Sequence, residues 1–188
     1  EAIARAAEQG LTIPILYNSN GYDSLDMLRL FDGVADIYLP DLKYGDDSAG
    51  TWASSVDNYV EHAHAALKEM YRQVGDVEFD DDGIVRRGLI VRILVLPEDL
   101  ARVHDSLVFL AEELSTRVWL SIMSQYYPAH RAVGHPKLGR SITPKEYETV
   151  LEWVDRLGFE NFYAQGMDSV EVCRPDFEKD GVFDFGDA

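Results

Sequence analysis

Four short stretches hold the polar side chains that this sequence could use for chemistry. They are "ILYNSNGY" with Asn18, Ser19 and Asn20, "LPDLK" with Asp41 and Lys43, "LIVRILVL" with Arg92, and "SIMSQYY" with Ser124, Gln125 and Tyr126. Arg92 is the most telling, because a guanidinium inside an apolar run keeps its charge and must find a carboxylate, carbonyls or an anionic ligand. Blander roles stand beside these. Asn18–Gly21 has the composition of a turn, Asp41 and Lys43 could form a local ion pair of little weight, and Arg92 could be a structural partner of Asp41.

Stepping out to the elements, residues 13–17 read as a short buried strand, and a helix follows from Ser24. "ADIYL" is a second strand, closed by Pro40 and a loop rich in Gly, Asp and Ser. Apolar residues at helical spacing mark a helix over about 56–74, and "DVEFDDDGIVRRG" reads as a hairpin turning on Asp82-Gly83. Residues 89–96 form the strongest strand, a helix is expected over about 98–114, and 118–123 is a fourth strand. Thr143-Pro144-Lys145-Glu146 is a helix start with a capping box. "NFYA" is a last strand, and an acidic tail occupies 166–188. Alternation of this kind predicts parallel strands joined by right-handed helical crossovers. Four strand–helix units are too few for a closed eight-stranded barrel, which leaves an open sheet or a partial barrel. In either, the strand-to-helix loops gather at the C-terminal strand ends, where all four polar stretches fall.

Composition narrows the function classes. The chain has 188 residues, 46 % hydrophobic and 27 % charged, with a net charge of −17. So acidic a surface disfavours nucleic acid and anionic membranes. The single cysteine, Cys173, excludes an internal disulfide and any zinc or iron–sulfur site built from this chain's own thiolates, and points to the cytoplasm. His62 and His64 lie two apart on a helix and face different ways. His130 and His135 fall in a loop, and Asp80–Gly83 lacks the later ligands of a calcium loop.

"IPILYNSNGY", "ADIYLPDLK", "VRILVLP" and "WLSIMSQY", in this order and together with "EMYRQVGD", resemble the second half of radical S-adenosylmethionine enzymes similar to the pyruvate formate-lyase activating enzyme. The resemblance covers about residues 1–165. It implies an α/β fold, a partial (β/α)6 TIM-type barrel, here truncated to about four strand–helix units plus the small hairpin. It also implies a [4Fe–4S] cluster and S-adenosylmethionine at the strand ends, reductive cleavage to a 5′-deoxyadenosyl radical, and hydrogen abstraction, with a glycyl radical enzyme as the partner substrate. By the same resemblance Asn18, Ser19, Asn20, Asp41, Lys43, Arg92, Gln125 and Tyr126 are the cofactor-binding positions. Asn18 stands where the family has an aspartate, and Gln125 or Tyr126 where it usually has histidine.

The three-cysteine loop and the Gly-Gly-Glu type motif of that family do not occur in this sequence, so the chain is expected to be the C-terminal part of a longer protein and inactive by itself. A Schiff-base lyase using Lys43 and a non-catalytic binding domain are the alternative readings. The strand at 13–17 is expected to have an open edge that promotes self-association.

Overall fold

The computed structural model describes residues 2–168. The elements run α1 (Ala2–Glu8), β1 (Leu16–Ser19), α2 (Leu25–Leu30), β2 (Ile37–Pro40), α3 (Asp47–Ser54), α4 (Tyr59–Val74), β3 (Glu78–Phe79), β4 (Val85–Leu94), α5 (Val103–Phe109), β5 (Trp119–Met123), α6 (Pro144–Arg156) and β6 (Phe162–Ala164). β1, β2, β4, β5 and β6 lie side by side in that order, all parallel, and β3 pairs antiparallel with β4. The fold is therefore α/β with a mostly parallel six-stranded sheet.

Side-chain alternation along the strands sets the two faces. Tyr38, Leu89, Val91, Ile93, Leu120 and Ile122 are buried in one cluster with Ala63, Leu67, Met70, Leu107, Val150 and Val154 of the helices. Each Val, Leu, Ile or Met among them contributes about 1.5–3 kcal/mol by leaving water. A polar tie crosses this layer: Tyr38 Oη donates to Gln73 Oε1 at 2.6 Å, and Gln73 Nε2 donates to the Leu28 carbonyl at 2.9 Å, joining β2, α4 and α2. The opposite face carries Asn18, Arg92, Leu94, Ser121 and Met123, with Arg92 opposite Ser121 and Leu94 opposite Met123 in register.

Several boundaries differ from the pattern in the sequence. The first strand is Leu16–Ser19 rather than 13–17, because pairing with β2 carries the backbone through Asn18 and Ser19 while Ile13 stays 68 % exposed. The loop after β2 folds into α3, capped by the Asp46 side chain on the Ala49 N–H. The hairpin's second arm and the main strand are one continuous β4, with Asp80 accepting the Asp82 and Ile84 N–H groups in the turn. The helix expected over 98–114 is broken. Pro97–Asp99 forms a single 3-10 turn, Glu98, Asp99 and Arg102 adopt left-handed backbone, and α5 ends in a π-helical turn at Leu110–Leu114. The capping box at Thr143 and Glu146 forms as its spacing predicts. No helix among the described residues is long and apolar enough to cross a membrane. The expected acidic tail lies outside the described residues from 169 onward, as does Cys173.

Candidate functional site

β4 delivers Arg92 between two neighbours. Its Nη2 donates to the Asn18 Oδ1 of β1 at 2.7 Å, and its Nε lies 2.7 Å from Asp41 Oδ1, just past β2. The other Asp41 oxygen accepts from Lys43 Nζ at 2.8 Å. A continuous charged chain, Asn18–Arg92–Asp41–Lys43, thus spans the C-terminal ends of three strands, with one anion between two cations. The Nε–Oδ1 contact is close but poorly aligned, so both buried atoms lack a well-directed hydrogen bond. Arg92 therefore does pair with Asp41, yet the pair is not closed on itself: its side chains remain about a quarter exposed, at 26 % and 21 %, and Lys43 at 42 %.

Local structure explains why these side chains sit so. The Asp41–Lys43 bend is held from beneath by Tyr59, the first residue of α4, whose Oη accepts the Lys43 N–H at 2.8 Å. Burial raises the Tyr59 phenol well above its usual range, which keeps it protonated. Gly21 packs against the same bend. With φ +77 it adopts a left-handed conformation, and a Cβ there would fall onto the Asp41 carbonyl oxygen. Ser19 and Asn20 build this turn. Ser19 Oγ donates to Asp23 at 2.6 Å and accepts the Gly21 N–H at 3.1 Å, and Asn20 Oδ1 accepts the Tyr22 N–H at 3.0 Å. Of Asn18, Ser19 and Asn20, only Asn18 reaches the charged chain.

Asp41, Lys43, Arg92, Gln125 and Tyr126 line one cavity of about 570 Å³. Leu94, Leu96 and Met123 give it an apolar side, and Ala129, Ala132 and Leu138 close it from the β5–α6 loop. Gln125 is oriented by Gln165, which donates to its Oε1 at 3.0 Å while accepting the Ser124 N–H at 3.0 Å. Tyr126 Oη donates to the Leu138 carbonyl at 2.9 Å, and burial raises its phenol. Tyr59 and Gln165 are not among the residues singled out by sequence. Gln165 had a signal, since it directly follows the last strand, whereas Tyr59 reads as one more apolar helix position.

The histidines stand apart from this cavity's polar end. His62 meets Tyr22 edge-on, and His64 stacks on Phe109. Among the described residues no group of three or more His, Cys, Asp or Glu side chains is placed to hold a metal ion. With one cysteine, and that outside the described residues, the chain does not fit a [4Fe–4S] cluster. The partly exposed Asp41, Lys43 and Arg92 side chains at one end of the cavity carry both signs of charge that an amino-acid zwitterion needs, beside an apolar wall.

No family model matches the chain. A protein of Methanocaldococcus jannaschii described as uncharacterized is 30 % identical over 152 residues, which are 80 % of this chain and 40 % of that protein. The chain thus spans about 40 % of the length of the curated relative it matches.

Proposed function

We propose that the chain is part of a radical S-adenosylmethionine enzyme similar to the pyruvate formate-lyase activating enzyme, built on a partial (β/α)6 TIM-type barrel, and that the cavity at its strand ends holds S-adenosylmethionine. The observation that carries this reading is the Asn18–Arg92–Asp41–Lys43 chain across three parallel strand ends beside an apolar wall. When bound and reduced, S-adenosylmethionine supplies hydrogen-abstracting chemistry, here directed at a substrate such as a glycyl residue of a partner enzyme. The chain's own residues bind and orient. Asp41 meets the ammonium group, Lys43 and Arg92 meet the carboxylate, and Gln125 offers an amide. Leu94, Leu96 and Met123 exclude water from the apolar part. Lys43 is a weaker candidate for Schiff-base chemistry, since its ammonium is ion-paired and open to solvent rather than desolvated.

Titration of S-adenosylmethionine into the chain, followed by amide NMR, tests the binding step. Shifts are expected at Asp41, Lys43, Arg92 and Gln125, with Arg92→Leu weakening binding about tenfold or more through a lost charged hydrogen bond. A titration that leaves those amides unmoved would remove the cofactor site. The present chain is expected to purify free of iron and to make no 5′-deoxyadenosine. Extended to the length of its archaeal relative and reconstituted anaerobically, it is expected to take up iron. Failure to do so would sink the family reading.

A further inference from the structure

The cavity wall that the strands do not supply comes from residues 126–138, a stretch whose only regular element is one 3-10 turn at His130–Ala132. Its attachments are unequal. On the α6 side, Arg140 grips both Glu146 oxygens at 2.8 and 2.7 Å, and Glu146 also accepts the N–H groups of Thr143 and Glu98. Lys137 reaches Glu98 at 3.2 Å on the same side. On the α3 side, His135 stands edge-on to Trp52 with ring centroids 5.5 Å apart. His135 has a second task. Its Nδ1 accepts the N–H groups of Lys137 and Leu138, at 3.2 and 3.1 Å, and so shapes the turn that presents Leu138 to the cavity.

We propose that residues 126–138 form a wall hinged at Arg140–Glu146 and latched by His135 onto Trp52, which swings to admit and then enclose a small molecule with a zwitterionic end, carboxylate and ammonium, on a larger body. The inference rests on the reading of this cavity as the ligand site. The ligand class follows from the lining: the Asp41 carboxylate with cationic Lys43 and Arg92 at one end, and Leu94, Leu96, Met123 and Leu138 along the rest. A volume of about 570 Å³ encloses a molecule of that size. The strength of the hinge comes from a bidentate arginine pair joined to a capping box, whereas a ring contact on a half-exposed Trp52 makes a latch that opens cheaply.

Hydrogen–deuterium exchange on the chain, alone and with S-adenosylmethionine, tests this. In His135→Ala and, independently, in Trp52→Ala, amides across 126–138 are expected to exchange about tenfold faster while those of β4 and β5 keep their rates. Trp52→Ala leaves the His135 turn intact, so it separates the latch from general misfolding. Added S-adenosylmethionine is expected to slow exchange over 126–138 in the unaltered chain. Unchanged exchange over 126–138 in both variants would overturn the proposal. So would a ligand that protects residues 41–43 without slowing the wall. Faster exchange in both variants with no binding of S-adenosylmethionine would support the hinged wall and sink the cofactor reading.

Discussion

A single carboxylate holding two cations governs the residue scale. Asp41 keeps Lys43 and Arg92 within one site, and each of the three side chains stays partly exposed there. Elsewhere a titratable side chain serves packing alone. His64 stacks on Phe109 with ring centroids 3.4 Å apart, and burial, with Lys68 nearby, lowers its pKa from 6.5 to about 4. Its folded pKa lies below its unfolded one, so between those values the unfolded chain binds more protons. Stability from this residue is present above about pH 6.5 and is lost as the pH falls toward about 4. Urea midpoints measured at pH 7 and pH 5 are expected to differ less in His64→Leu than in the unaltered chain. An unchanged difference would mean that other groups set the acid sensitivity.

At the scale of elements, the turn between β1 and α2 decides where the site lies. Three of its polar residues stay within the turn, and Gly21 lets it approach the Asp41 backbone closely. Gly21→Ala combines a positive φ with a backbone clash, so it is expected to cost more than about 1 kcal/mol. The same substitution should move the Asp41 and Lys43 amides in NMR spectra. A variant with normal stability and unmoved amides would show that this turn does not position the bend. The break between β4 and α5 belongs to the same scale. Left-handed Glu98, Asp99 and Arg102 turn the chain off the strand end beside the Leu96 wall, and the Glu98 N–H is held by Glu146.

For the whole molecule, the described sheet ends at β1, which pairs only with β2 among the described strands, and Leu16 there is 49 % exposed. Nearby, Leu11, Ile13, Met27 and Leu30 border an apolar cavity of about 610 Å³. An open edge beside apolar surface favours association, while a net charge of −17 opposes it. Light scattering is therefore expected to show self-association that grows with protein concentration and with salt, and that Leu16→Lys suppresses. A monomer at high concentration and high salt would count against it.

Sequence alone determined the alternation of strands and helices, the capping box at Thr143, and the clustering of polar residues at strand ends. These depend on periodicity and on local hydrogen bonding, which neighbouring residues control. Strand register, the break after Pro97 and the extra helix at 47–54 were not legible, because pairing partners far along the chain decide where a strand or helix stops. The same holds for the site. The sequence named Asn18, Ser19, Asn20, Asp41, Lys43, Arg92, Gln125 and Tyr126, since charged and polar groups at apolar strand ends stand out in one dimension. Only the tertiary structure separated Asn18 from Ser19 and Asn20, brought Tyr59 beneath the Asp41–Lys43 bend, and closed the cavity with Leu138. The contacts of Tyr59 with Lys43 and of Arg92 with Asn18 join residues 16 and 74 positions apart, between which the sequence carries no shared periodic signal.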